Sequence, residues 1–535
     1  MNKKSKFLIV SSLLMMSFAS CNEDSLNDDF DVAYGTKVST MADGEMIVLG
    51  DKYPNPYSVS NMQAAYSSLK NMGEAIGNIN IRATDLYVRF LPSNIAQYNQ
   101  LNEDTTLVLF DYPLDREILV EGDYYHDPKI AEGKYTWLYT TVPIDYQFDS
   151  QIKYEILDSC YIAQDNNENI ITDDDKLEQM SFRRLGLENQ FVDPAELGAK
   201  GWLSSKKPSG RYTFFDNSLN ANVPVKNVVA VCHNVVKCGR ARIGVDGNYK
   251  MDKKFHTNVS YSIKWSNSKG FSVHYPIILA NSYLGVHNKS GYSENITNKN
   301  KWKIANINNS AYEYYSICNK NKILTPPNNL KIWMTNLTSG SSAPMLTRVW
   351  HPIGANSSSS WSNFFVNILY GLPATVINNT ILKLVGPDVT IGADGRNVSS
   401  SFYKVVCHEL SHSSHFAQVG SEYWAKYISF IMTYGTYGSI TDNNAGICGI
   451  GEMWGFAMGN LLTYNKYSIS IPSGDYWFKW HIMFDLMNGQ ILSMKDVFDC
   501  LTNDVTSHAT LKTKLTTFYP QYANGINSVF NYYGF

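Results

Sequence analysis

The stretch Ser399-Ser400-Ser401-Phe402-Tyr403-Lys404-Val405-Val406-Cys407-His408-Glu409-Leu410-Ser411-His412 decides how the C-terminal half of this chain is read. Phe402, Val406 and Leu410 recur at every fourth position, the period of a helix with one buried face. His408 to His412 spells H-E-x-x-H. On a helix those two histidines lie on one face, about 6 Å apart, and both imidazoles converge on one metal ion. Zinc takes imidazole nitrogen at about 2.0–2.1 Å. Glu409 falls on the flank of the pair, placed to act as general base toward a zinc-bound water. The three serines are expected to cap the helix start.

Two imidazoles do not complete a site, and two residues compete for third ligand. His415 extends the motif to H-E-x-x-H-x-x-H, with Ser413 and Ser414 letting the helix run on. It then stands a rise of about 10 Å from His408, too far for the same ion. It is read as a neighbour of the site or a surface residue. Glu452 is the better ligand. It lies in Cys448-Gly449-Ile450-Gly451-Glu452-Met453-Trp454-Gly455-Phe456, and the helical pattern continues to Leu462 with Trp454, Met458 and Leu461 as its apolar stripe. Gly455 and Gly459 share the face of Glu452 and allow close approach to the first helix. A carboxylate among apolar residues and glycines needs a partner, and a metal ion is one.

Composition bounds the rest. Hydrophobic residues make up 44% and charged ones 17% of the 535, which excludes a disordered or coiled-coil chain. The length calls for more than one domain. A net charge of −3 with no block of five or more like charges gives no sign of nucleic acid as a partner.

At the N-terminus, Lys3, Lys4 and Lys6 precede an apolar run from Phe7 to Phe18, then Ala19, Ser20 and Cys21. The run is too short to span a hydrocarbon core of about 30 Å and has the form of an export signal. Cys21 after Phe-Ala-Ser resembles the lipobox of bacterial lipoproteins, with Phe18 a departure from the usual Leu. The resemblance implies lipidation at Cys21. The acidic stretch Asn22-Glu23-Asp24-Ser25, with Asp28-Asp29, resembles the surface-export tag of Bacteroidota lipoproteins. Together these imply an exported lipoprotein of the outer membrane, exposed at the cell surface and held to the membrane through Cys21. The other seven cysteines are odd in number and scattered, so they form no disulfide scaffold. Cys232 and Cys238 are spaced to close a hairpin loop. Cys407 and Cys448, close to the site residues, either bridge or stay buried thiols.

The expected organisation is a signal peptide (1–20), a tether (21–44), an N-terminal α+β domain (45–165), a helical linker (166–207), a β-sandwich (208–275) and a C-terminal catalytic domain (276–535). The class is multidomain α+β. A helical pattern spans Asn61 to Met72. Strand-like runs follow at Thr84 to Phe90, Thr106 to Phe110, Tyr135 to Val142 and Ile152 to Leu157. The acidic stretch Asp165 to Asp175 fails the EF-hand pattern, with Ile170 where Gly is needed and Lys176 where Glu is needed. It is a loop whose Thr172-Asp173 starts a helix. From Gly210, short strands and the turn signal Asp246-Gly247 argue for a sandwich. Gly210-Arg211-Tyr212-Thr213-Phe214-Phe215-Asp216, Val223-Pro224-Val225 and Asp246-Gly247-Asn248-Tyr249 resemble carboxypeptidase-regulatory-like domains, which space or bind. Later, Leu330 to Met334 and Val389 to Ile391 are expected strands, and Trp361 to Tyr370 a helix.

H-E-x-x-H followed by Glu on a second helix resembles the gluzincin metallopeptidases. More loosely, the whole chain resembles the zinc metallopeptidase lipoproteins of Bacteroidota. The resemblance implies a zincin-like C-terminal domain with Zn2+ held by His408, His412 and Glu452, and Glu409 as base. It implies a cell-surface endopeptidase acting on extracellular protein, peptide or glycoprotein. It also implies a Tyr or His donor for the oxyanion, with His481 as the candidate and Tyr476, Tyr434 and Tyr437 beside it. Val389 to Gly392 sits where the family keeps a sheet edge for an extended peptide. One departure is Phe456, where the family pattern has an Asp that orients a ligating His. Two alternatives stand: a surface lipoprotein that binds glycans or protein around a vestigial zinc site, and an aminopeptidase, which needs an acidic group for the free amine.

Overall fold

A computed structural model describes residues 44–131, 133–164, 167–168, 170–193, 204–276, 281–346, 348–349, 384–435 and 437–535. The expected export signal, Cys21, most of the expected tether and the expected helix at Trp361 to Tyr370 lie outside the described residues.

The first third is β-rich. Strand β1 (Val48–Lys52) leads to helix α1 (Val59–Asn71), then β2 (Asp85–Leu91), α2 (Ile95–Glu103), β3 (Arg116–Val120), β4 (Leu138–Pro143), β5 (Lys153–Cys160), α3 (Asp173–Arg184) and α4 (Glu188–Phe191). β2 lies between β4 and β5, antiparallel to both, and β1 pairs with β3. The expected strand at Thr106 to Phe110 forms only one bridge, from Phe110 to Tyr139. Helix α3 starts where expected, because Thr172 and Asp175 make a reciprocal capping box.

Ten strands follow: β6 (Ser209–Asp216), β7 (Ala221–Pro224), β8 (Val229–Asn234), β9 (Lys237–Arg242), β10 (Asn248–Lys250), β11 (Val259–Lys264), β12 (Ser266–Asn267), β13 (Phe271–His274), β14 (Asn281–His287) and β15 (Glu294–Ile296). One antiparallel sheet runs β14-β11-β8-β9, and a second runs β10-β6-β15 with β7 also on β6. Tyr212, Phe214 and Tyr249 of one sheet share a buried cluster with Ala230, Cys232, Tyr261 and Ile263 of the other.

Charged side chains tie α3 to this region. Asp175 meets Lys254 at 3.0 Å and His256 at 2.7 Å, and Glu178 meets Lys237 at 2.8 Å, all of them buried. Asp175 thus has protein partners, in keeping with a structural loop rather than a calcium site. The register of β8 on β9 sets Cys232 opposite Gly239 and His233 opposite Cys238. Alternation then sends the two thiols to opposite faces, and the expected hairpin bridge does not form. None of the seven described cysteines is in a disulfide; Cys407 and Cys448 are both buried thiols.

The C-terminal region is helical: α5 (Lys299–Asn321), β16 (Leu330–Thr335), β17 (Val389–Gly392), α6 (Ser399–Tyr434), α7 (Ala445–Tyr467), α8 (His481–Asn488), α9 (Met494–Asp499), α10 (His508–Phe518) and α11 (Ala523–Tyr532). β13, β16 and β17 are parallel, with β12 antiparallel at one edge. The residues of β16 and β17 are all buried, as expected for a parallel sheet covered on both faces. One hydrophobic core runs from Tyr212 in β6 to Phe530 in α11. The protein is therefore multidomain α+β, with β-rich sheets first and a helical C-terminal region after them. No described helix is long and apolar enough to cross a membrane.

Candidate metal centre

Helix α6 is anchored at its start by a turn of the neighbouring sheet. The serines do not cap it: Val398 is the N-cap and no side chain of the helix closes the end. Instead the backbone N–H groups of Ser399 and Ser400 donate to Asn217 Oδ1 and Ser218 Oγ, at 2.8 and 2.9 Å. Unsatisfied amides at a helix start need such acceptors, and here they come from the turn after β6. Phe402, Val406 and Leu410 are fully buried, as their spacing predicts.

Helix α7 packs along α6 through its glycines. A β-carbon on Gly459 would stand 3.1 Å from the Lys404 carbonyl and 3.2 Å from His408 Cβ, so the helices meet where only glycine fits without displacement. Trp454 and Met458 are fully buried and Leu461 nearly so. That contact brings Glu452 over the histidine pair.

The result is a compact triad. His408 and His412 Nε2 lie 3.0 Å apart, and Glu452 Oε2 lies 3.6 and 3.7 Å from them. A triangle with these edges has its centre about 2.0 Å from each corner, the bond length zinc makes to imidazole and carboxylate. Glu452 Oε2 is buried and makes no hydrogen bond, a costly state for a carboxylate oxygen with no cation beside it. Among the described residues this is the one group of His, Cys, Asp and Glu able to hold a metal ion. Donor type, spacing and the bare oxygen fit a divalent ion.

Electrostatics prepare the donors. Burial pushes His412 down to about 3, which keeps the imidazole neutral and its Nε2 lone pair available. Burial pushes the Glu452 carboxyl up, but His412, His408 and the Tyr427 hydroxyl outweigh it and hold it below its ordinary value. The site presents two imidazole nitrogens and one carboxylate oxygen, a donor set suited to zinc.

The other named residues fall in different places. Glu409 directly follows His408 on α6 and is fully buried. His415 is also fully buried, not at the surface; its ring packs against Tyr423 and Trp424, and it is not a ligand. His481 opens α8, with Nε2 3.0 Å from the Pro472 carbonyl and its ring stacked on Trp480. Tyr434 is exposed at the end of α6. Tyr437 and Tyr476 pack on Phe456, whose ring stands edge-on to His408 at 4.7 Å. Phe456, where the family pattern has an orienting Asp, thus supports His408 by packing. The outer edge of β17 is already taken: Ser342 and Thr390 exchange hydrogen bonds of 3.0 and 2.8 Å, and the Met345 N–H donates to the Asp388 carbonyl. An extended peptide cannot pair there as expected without displacing that segment.

No motif in the sequence marks Trp424 or Tyr427 as a site residue. Trp424 donates to the Ala343 carbonyl and its ring lies 5.9 Å from that of His412. Tyr427 donates to Glu452 Oε1 at 2.5 Å. Both follow Gly420, where α6 kinks (φ 81°, ψ 176°), and the only advance signal was that glycine inside a helical pattern. No known protein-family model matches the chain, and no curated protein matches it.

Proposed function

We propose that this chain is a zinc-dependent peptide-bond hydrolase of the gluzincin kind. The observation that carries the reading is the triad itself: two Nε2 atoms and one carboxylate oxygen surround a point about 2.0 Å from each. His408, His412 and Glu452 would hold the ion, which supplies Lewis acidity toward a water and a carbonyl oxygen. Glu409 is the proposed base. It takes the proton of the attacking water and returns it to the leaving amine. The export-signal pattern and Cys21 support an envelope lipoprotein, with extracellular protein or glycoprotein as the substrate class.

The test uses the full mature chain. We expect one zinc per chain and cleavage of casein or of end-blocked peptides. Glu409→Gln should lower the rate by about 10²–10⁴-fold while zinc stays bound. A variant that cleaves like the parent would remove Glu409 from the role. One observation favours a second reading. His408, Glu409, His412 and Glu452 are each no more than 1% exposed, as in a closed structural zinc site. Stoichiometric zinc with no turnover, together with capture of glycan, is the signature of that binding protein.

A further inference from the structure

Helix α6 would be about 54 Å long if straight, and Tyr427 would then stand about 22 Å along the axis from His412. Instead their rings lie 5.7 Å apart. The chain turns at Gly420, whose φ of 81° and ψ of 176° belong to glycine, and the second half of the helix folds back over the metal-ligating turn. Trp424 wedges the fold, 4.5 Å from Tyr427 and 5.9 Å from His412 by ring centroids. The returning arm delivers the Tyr427 hydroxyl to Glu452 Oε1 at 2.5 Å.

A carboxylate on a two-carbon stem rotates about its last bond and can offer either oxygen. With Oε1 engaged by Tyr427, the oxygen left facing the histidines is Oε2, 3.6 Å from His408 Nε2 and 3.7 Å from His412 Nε2. Both partners are buried, so water does not compete for that hydrogen bond. We propose that Tyr427 is the positioning residue of the metal centre: it locks Glu452 in the orientation that completes the ligand set. This rests on the metal-site reading above. Partners of ligating groups act in this way and contribute about 10–100-fold to metal affinity.

The experiment compares the full mature parent with Tyr427→Phe, which keeps the ring and its packing and removes one oxygen. Apo protein is titrated with zinc against a chromophoric chelator, and cobalt is substituted to record its visible ligand-field spectrum. The proposal expects zinc binding about 10–100-fold weaker in the variant and an altered cobalt spectrum, whatever the lost hydrogen bond does to the apo melting midpoint. A merely structural tyrosine would move the midpoint and leave the cobalt spectrum alone. Gly420→Ala is the second variant, since it disturbs the returning arm without touching Tyr427; it should weaken zinc binding in the same direction. Equal zinc affinity and an identical cobalt spectrum in parent and Tyr427→Phe overturn the proposal and leave the metal site standing. A parent that binds no zinc overturns both.

Discussion

Gly455 faces the histidine pair so closely that a β-carbon on it would stand 2.8 Å from His412 Cε1 and 2.9 Å from His412 Nε2. The same carbon would lie 3.0 Å from His408 Nε2. It would press on Nε2 of both histidines at once, and both rings are buried. Gly455→Ala adds one methyl group and otherwise suits a helix. Overpacking of this kind costs about 1–3 kcal/mol, and here the strain falls on the ligand geometry. Zinc affinity should drop by about tenfold to a hundredfold, while the helical circular dichroism stays that of the parent. Metal content after dialysis against a graded chelator series checks it, and full retention of zinc would show that the ligands move aside freely.

Most of the site was legible because its parts are local. H-E-x-x-H is a five-residue signal, and the spacing of Phe402, Val406 and Leu410 announces the helix that carries it. Glu452 was legible from its surroundings, since a carboxylate beside Gly451 and Gly455 has no ordinary reason to be buried. Strands β6, β10 and β11 are legible from alternation and turn residues, whereas β9 over Lys237–Arg242 is not. What escaped was tertiary. The capping of α6 comes from Asn217 and Ser218, far back in the chain, so the serines at its start were credited instead. The segment around Ser342 pairs with Thr390 through backbone atoms, which leave no trace in side-chain pattern. Tyr427 and Trp424 reach the site only because Gly420 reverses the helix, and one glycine does not tell which way a chain turns.

Removing the ion should destabilise the protein. Binding to the folded state alone adds about 2.7 kcal/mol when the ion is a hundredfold above its Kd. Chelation of the parent should therefore lower its thermal midpoint, and zinc should restore it. In His412→Ala the triad has lost a nitrogen, so chelator and zinc should both leave the midpoint where it is. Differential scanning calorimetry of the two proteins, each with and without chelator, makes the comparison. A parent midpoint indifferent to chelator would mean that the triad holds no ion.

Gly420→Ala tests the kink in α6. Nothing lies within 4 Å of the position a β-carbon would take there, so crowding is not the issue. The backbone is: φ of 81° with ψ of 176° lies in a region that residues other than glycine avoid, at about 1–3 kcal/mol. The variant should lose that much stability, read as a lower urea midpoint. Alanine also favours a straight helix, which would carry Trp424 away from the Ala343 carbonyl and expose its indole. A red-shifted tryptophan emission should accompany the loss of stability, and an unchanged midpoint would show that the kink is imposed from outside the glycine.

The buried charge cluster around Asp175 makes a prediction of opposite character, about acid. Burial raises the Asp175 carboxyl, but His256, the Thr172 N–H and Lys254 outweigh it, and the group titrates below its ordinary value. A carboxyl lowered in the folded state contributes stability that is complete above its unfolded value of about 3.9 and is lost as pH falls through the folded one. Asp175→Asn withdraws the carboxylate from Lys254 and His256, which are 3% and 1% exposed. Breaking a buried pair from one side costs about 3–5 kcal/mol. The variant should accordingly unfold at much lower urea than the parent at pH 7 and at pH 5. The gap should narrow at pH 3 and below, where the parent's own carboxyl takes up its proton on unfolding. Urea midpoints across that pH series decide it: a gap that stays constant from pH 7 to pH 2 would mean that the cluster acts through packing and not through charge.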